Sequence, residues 1–148
     1  MTKKTDIFIA IDTHSMKNAK KLIGQLNNKH CGIKIGKELF TSCGPEIVQW
    51  VKSEGFEVFL DLKFHDIPNT VIKACEAASK MNVDIINVHS LGGREMMSAA
   101  KNAVSNQQIK LIGVTLLTSH DKYFMTEVGL SGSLDNCVKK LAINAAES

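Results

Sequence analysis

Two carboxylates and an ammonium group stand close together in the segment Asp61-Leu62-Lys63-Phe64-His65-Asp66-Ile67-Pro68. The preceding run, Glu57-Val58-Phe59-Leu60, is apolar and β-prone, which predicts a strand. Side chains alternate between the two faces of a strand, so Asp61 and Lys63 should project to the same side at its end. Buried charges are costly unless they are paired. Three charged groups at the end of an apolar strand are therefore expected to have a role in binding or catalysis.

Polar and charged residues also stand near the ends of other predicted strands. Asp12 ends strand one, Lys34 lies between two isoleucines in strand two, and Thr118 ends strand five. In a parallel sheet the carboxyl ends of the strands lie on one side, where ligands bind. We therefore expect one cavity surrounded by Asp12, Lys34, Asp61, Lys63 and Thr118.

Alternating carboxylates and lysines suit a particular chemistry. Each carboxylate favours the charged form of a neighbouring ammonium group, so a lysine is kept ready to donate a proton where a carbanion develops. Structural roles compete with this interpretation, because Asp12 can cap the following helix and Asp61 with Lys63 can be a structural ion pair. His89 is more readily explained as a hydrogen-bonded core histidine, and His65 equally well as a packing residue.

Strand and helix signals alternate along the chain. Apolar strands are predicted at 7–11, 32–36, 57–62, 84–89 and 110–117, followed by helices from Ser15, Gly44-Pro45, Pro68, Gly93 and Leu134. Apolar strands joined by helices predict an α/β protein with a parallel sheet and right-handed crossovers. Five units suit a small doubly wound sheet or part of a (β/α)8 barrel, which typically needs about 250 residues. We expect residues 1–148 to form a single domain, with a loop at 119–133 long enough to contact a ligand.

The composition describes an ordinary globular domain. The chain has 148 residues, of which 44% are hydrophobic and 22% charged, and its net charge of +3 is scattered, which argues against nucleic-acid binding. No stretch is apolar and long enough for a membrane span or a signal peptide. The four cysteines and five histidines show no metal-ligand spacing. These features predict a cytoplasmic protein with free thiols and no bound metal.

The segment Val58–Val71 resembles the signature of the orotidine 5′-phosphate decarboxylase family. Its D-x-K-x-x-D-I-P-x-T core is highly specific, and its Ile-Pro-Asn-Thr continuation favours this family over the related 3-keto-gulonate-6-phosphate decarboxylases. The flanking pieces that agree are Ile9–Asp12, Lys34–Phe40, Asn87–His89 and Val114–Ser119.

This resemblance implies a (β/α)8 TIM barrel, of which the chain supplies about the first five β-α units. It implies a cofactor-independent homodimeric lyase that removes CO2 from orotidine 5′-monophosphate to give UMP, in pyrimidine biosynthesis. A sugar-phosphate decarboxylase or aldolase of the same superfamily, often metal-dependent, is the alternative enzyme. The family's phosphate-binding loops follow strands six to eight, whereas this sequence reaches Ser148 in what would be the fifth helix. The sequence is therefore either a piece of a longer protein or, if the barrel stops here, an inactive fragment with a structural role.

Residue roles follow from the same resemblance. Lys63 would donate a proton to C6 of the pyrimidine, and Asp61 would face the substrate carboxylate. Lys34 would hold Asp61 and touch the ribose. Asp12 would bind a ribose hydroxyl, and Thr118 would contact the pyrimidine edge.

The resemblance also implies a shared site. Asp66, together with Ile67 and Thr70, would reach across a dimer interface into the partner's site. The predicted catalytic residues are Lys34, Asp61, Lys63 and Asp66. The predicted substrate-binding residues are Asp12, Lys34, Asp61, Leu62, Lys63, Phe64, His65, Asp66, Ile67, Pro68, Asn69, Thr70 and Thr118.

Overall fold

A computed structural model of the protein describes residues 7–105 and 108–148. Within these ranges five strands form one parallel sheet in the order β1-β2-β3-β4-β5. Consecutive strands are neighbours, as in the wall of a barrel, whereas a doubly wound sheet reverses its strand order at a switch point. The strands are β1 (Phe8–Ala10), β2 (Gly32–Gly36), β3 (Val58–Phe64), β4 (Ile85–His89) and β5 (Lys110–Val114).

Helices connect and follow the strands. Ser15 caps the first helix by accepting a hydrogen bond from the backbone N–H of Asn18, and Pro45 opens the third, as predicted. A 3₁₀ turn, Ser90–Gly92, follows β4. The helices are α1 (Met16–Ile23), α2 (Lys37–Cys43), α3 (Pro45–Ser53), α4 (Pro68–Ser79), α5 (Gly93–Val104), α6 (Lys122–Glu127) and α7 (Leu134–Ala146).

Two short helices were not predicted. Helix α2 occupies the segment between Gly36 and Gly44. Glycines on both sides of so short a segment are more typical of a loop than of a helix. Helix α6 forms inside the predicted 119–133 loop, because the Asp121 side chain accepts hydrogen bonds from the backbone N–H groups of Tyr123 and Phe124. A side-chain cap of this kind supplies partners that a short helix otherwise lacks.

Strand β5 is shorter than predicted, so the expectation that Thr118 ends it is wrong. The strand ends at Val114, and a turn follows in which the N–H of His120 donates to the carbonyl of Leu117 at 2.9 Å. The Leu117 N–H donates in return to Nδ1 of His120 at 3.2 Å. These local bonds occupy the N–H and C=O groups of Leu117, which lies beyond the sheet ladder.

The hydrophobic core is continuous between the sheet and the helices packed on it. Its fully buried side chains include Ile33, Ile35, Leu60 and Ile86 from the strands. Strand β4 is buried on both faces from Ile86 onward, as expected of an inner strand of a parallel sheet. No helix in the described part of the chain is both long and apolar enough to cross a membrane.

Candidate active site

The predicted charged cluster forms at the carboxyl end of β3. The Asp61 carboxylate lies between two ammonium groups, with Lys63 Nζ 2.7 Å from Oδ1 and Lys34 Nζ 3.3 Å from Oδ2. Lys34 comes from β2, whose register places Gly36 opposite Asp61 and Lys34 opposite Phe59. Alternation in paired strands thus puts the Lys34 and Asp61 side chains on the same face.

Asp61 is held in its ionised form. Its side chain is only 12% exposed, and this burial by itself would raise the pKa. Hydrogen bonds from Lys63 and Asn87 and the positive charge of Lys63 outweigh burial, so the pKa of Asp61 is lowered below its usual 3.8. The site therefore presents a fixed anion between two cations.

The backbone at Lys63 departs from a regular strand. Leu60 pairs with Ile86 and Phe64 pairs with Val88, so the register between β3 and β4 shifts at this point. Lys63 adopts a left-handed conformation with φ of 52°. Such a conformation costs a non-glycine residue about 1–3 kcal/mol and concentrates at functional sites. The Lys63 ammonium group thus reaches Asp61 from a bulge in β3. The regular alternation of side chains predicted from the sequence therefore does not hold at Lys63.

Asn87 belongs to the cluster although it is absent from the predicted set. Its Nδ2 donates to Oδ1 of Asp61 at 2.6 Å, and its Oδ1 accepts from the backbone N–H of Lys63 at 2.7 Å. The residue is only 2% exposed. One sequence signal could have found it, because an amide between Ile86 and Val88 in a buried strand needs partners.

Other predicted residues lie outside this hydrogen-bonded group. Asp12 is exposed two residues beyond β1, and Thr118 is exposed four residues beyond β5. Asp66 is exposed, and its Oδ1 accepts a hydrogen bond from the N–H of Ile67 at 2.7 Å. Pro68 begins α4, and Asn69 is exposed in its first turn.

A cavity of about 270 Å³ lies beside the cluster. The cavity extends from Lys63 to the start of α4, and several of the predicted substrate-binding residues line it. Its lining residues are Leu62, Lys63, Phe64, His65, Asp66, Thr70, Val71 and Ala74.

His65 and His89 form a stacked pair near the cluster. Their ring centroids are 5.4 Å apart, and Nδ1 of the buried His89 accepts a hydrogen bond from the N–H of Leu91 at 3.3 Å. Burial lowers the pKa of His89, and the neighbouring His65 and His120 lower it further. The arrangement fits a neutral, hydrogen-bonded core histidine better than a cationic catalyst.

The cysteines are distributed away from one another. Cys31, Cys43, Cys75 and Cys137 are all free, and burial raises the pKa of Cys75 to about 11, which makes this thiol unreactive. Within residues 7–105 and 108–148, no group of three or more His, Cys, Asp or Glu side chains is placed to hold a metal ion.

Comparisons with known proteins agree on one family. The sequence profile described as "Orotidine 5'-phosphate decarboxylase / HUMPS family" matches residues 5–148. The orotidine 5'-phosphate decarboxylase of Nitrosospira multiformis is 48% identical over 136 residues, which are 92% of this chain and 57% of that protein. The protein of the same name from Nitrosococcus oceani is 44% identical over 148 residues, 99% of this chain and 64% of that protein.

Solved structures give the same result. The crystal structure of orotidine 5'-phosphate decarboxylase from Lactobacillus acidophilus superposes with a TM-score of 0.90 at 30% identity, covering 99% of this chain and 68% of that one. The orotidine 5'-monophosphate decarboxylase from Methanocaldococcus jannaschii gives a TM-score of 0.81 at 26% identity, with the same coverage. The fold is that of five consecutive β-α units of a TIM barrel, and the chain spans 57% to 64% of the length of the two curated relatives named above. This chain belongs to the orotidine 5′-phosphate decarboxylase/HUMPS family.

Proposed function

We propose that the protein decarboxylates orotidine 5′-monophosphate to UMP, a step of pyrimidine biosynthesis. The observation that carries the proposal is the Asp61 carboxylate held between Lys63 and Lys34 at the carboxyl end of β3, with separations of 2.7 and 3.3 Å. The names of the curated relatives support this substrate over a sugar phosphate.

The proposed reaction needs one proton donor. The bond between C6 of the pyrimidine and its carboxylate breaks, CO2 leaves, and the electron pair remains on C6. Lys63 then transfers a proton from Nζ to C6, which yields UMP, and the neutral amine regains a proton from solvent. The neighbouring Asp61 holds the ammonium group in position until the carbanion develops.

Asp61 has a second role in the proposal. As a fixed anion it opposes the substrate carboxylate, while the adjacent lysines stabilise the charge that forms at C6. Lys34 holds Asp61 and reaches towards the ribose. Asp12 contributes to the ribose contacts and Thr118 to those of the pyrimidine.

We extend the proposal to a homodimer with shared sites. Asp66 and Ile67 follow β3 on the surface, and Ile67 is 66% exposed. In this arrangement the partner subunit would cover the exposed Ile67 side chain. Asp66, Ile67 and Thr70 would then enter the partner's site. The free cysteines suit a reducing cytoplasm, and the reaction is assigned to side chains without a metal or organic cofactor.

The test uses the complete gene product, with its intact mass measured. Incubation with orotidine 5′-monophosphate should give CO2 and UMP in equal amounts, both without added metal and with a chelator. 3-Keto-gulonate 6-phosphate serves as the competing substrate. A folded protein that releases no CO2 from orotidine 5′-monophosphate, or that prefers the sugar phosphate, would overturn the proposal.

A further inference from the structure

We infer that Asn87 is a positioning residue whose amide holds Lys63 and Asp61 in one fixed arrangement; the inference rests on the proposed decarboxylation. The side chain makes one bond to each of them, 2.7 Å from the Lys63 backbone N–H and 2.6 Å to the Asp61 carboxylate. The donor lysine and the anion beside it are thereby tied to a single group on β4.

The bulge in β3 explains why Lys63 needs this partner. The register between β3 and β4 passes from Leu60 opposite Ile86 to Phe64 opposite Val88. Asn87 is the β4 residue between those two pairs, so its side chain faces the part of β3 where the ladder is interrupted. A partly buried backbone N–H that the ladder leaves unpaired needs an acceptor, and here the amide oxygen of Asn87 replaces a strand carbonyl.

Because Lys63 has a left-handed backbone conformation, its hydrogen bond to Asn87 also determines where the Lys63 side chain lies. A φ of 52° is disfavoured for a residue with a side chain and persists only where its surroundings fix it. Through this φ the ammonium group is directed back to within 2.7 Å of Asp61. Loss of the Asn87 acceptor would let the backbone of Lys63 relax towards a regular strand and move Nζ.

An amide is the side chain that meets both requirements. It offers an acceptor for the Lys63 N–H and a donor for the Asp61 carboxylate. An ionised carboxylate would offer acceptors only and would lie beside another anion. A protonated carboxyl group, by contrast, has one acceptor oxygen and one O–H donor and reproduces the pattern of the amide.

The difference between an ionised and a protonated carboxyl group at position 87 can be tested by varying the pH. In an Asn87→Asp variant, burial and the adjacent Asp61 anion raise the pKa of the new carboxyl group, whereas the Lys63 ammonium, bound to the same Asp61 oxygen, opposes that rise. At low pH the variant should therefore keep a kcat near that of the unsubstituted protein. As pH rises the new group ionises, and the ratio of the two kcat values should fall towards about one hundredth, the effect of a misplacement of about 1 Å.

The control is Asn102→Asp, the same change at an exposed position on α5. Its kcat ratio should be constant over the same pH range. KM of Asn87→Asp should stay within about threefold of the unsubstituted value, because a positioning residue acts on the chemical step. A pH-independent ratio for Asn87→Asp, or a change confined to KM, would overturn the inference.

A second measurement does not depend on activity. In a crystal structure of the complete protein carrying Asn87→Ala, residue Lys63 should leave the left-handed region and its Nζ should move away from Asp61. If φ and the ion pair are unchanged, Asn87 does not position them. If the unsubstituted protein shows no decarboxylation, the proposed function fails, while this structure still tests the positioning role.

Discussion

Lys63 and Lys52 each form an ion pair, and comparing the two separates an effect on catalysis from an effect on the stability of the fold. Each lysine lies 2.7 Å from a carboxylate, Lys63 with Asp61 at the carboxyl end of β3 and Lys52 with Asp84 at the opposite end. The Asp84 carboxylate also accepts a hydrogen bond from the N–H of Val58 at 2.7 Å, so this second pair joins a helix to the start of two strands. The first pair stands beside the cavity lined by Lys63, His65 and Thr70.

We predict that Lys63→Ala lowers kcat by about 10²–10⁴-fold or more, because the proposed proton donor is lost. The matched Lys52→Ala variant should keep its kcat and instead lower the free energy of unfolding. Steady-state kinetics and urea denaturation of the two variants measure both quantities. Near-normal turnover by Lys63→Ala would show that the proton comes from another group.

The ionisation of Asp61 predicts a pH dependence of stability. Its pKa in the folded protein is lowered below 3.8 because its bonds to Lys63, Asn87 and Lys34 outweigh burial. The stabilisation is therefore complete above the unfolded pKa and is lost as pH falls through the folded pKa. The gap in unfolding free energy between the unsubstituted protein and Asp61→Asn should be constant above about pH 5 and shrink as the pH falls further. A gap that grows on acidification would contradict the assignment.

The strands show which structural features local sequence determines. Apolar runs, a serine cap and the Pro45 helix start are local signals, and they predicted all five strands and most helices. The bulge at Lys63 was not predictable in this way, because it depends on a partner on β4 that is 24 residues away. Helix α6 depends on one aspartate cap within a polar segment, and the early end of β5 depends on a turn at His120.

Close packing between β1 and β2 gives a prediction at Gly32. Gly32 pairs with Phe8, and a Cβ added there would lie 2.4 Å from the Phe8 ring and 3.1 Å from the Glu57 carbonyl. We expect Gly32→Ala to lower the free energy of unfolding by about 1–3 kcal/mol through overpacking.

Gly36→Ala is the matched control on the same strand, since its added Cβ would meet only Lys34 Nζ at 3.7 Å. Gly36 is also the N-cap of α2, where alanine is less favourable than glycine, so this change should lower the unfolding free energy by up to about 1 kcal/mol and by less than Gly32→Ala does. Urea denaturation of both variants makes the comparison, and equal effects would show that the Phe8 ring yields to the methyl group.

The barrel topology explains why distant charged residues could be grouped correctly from sequence. Parallel strands in consecutive order bring their carboxyl ends to one side, so Lys34 and Asp61 meet although 27 residues separate them. The strand pattern predicts that Asp12 and Thr118 join this group, but they lie in loops beyond their strands and outside its hydrogen bonds. The direction of a loop depends on its own turns and on what packs over it, which strand periodicity does not encode.

The proposed sharing of sites between two subunits predicts complementation. Asp66 lies five residues beyond Asp61, is exposed, and bonds to its neighbour Ile67 rather than to the cluster, so it need not serve its own subunit. Mixing an Asp66→Asn protein with a Lys63→Ala protein should therefore restore activity. One site of each heterodimer would carry both defects and the other neither, so up to about half of the dimers would hold one intact site after free exchange. Subunit exchange is measured separately with differently labelled protein, and each variant assayed alone is the control. If exchange is complete and the mixture stays inactive, Asp66 acts within its own subunit.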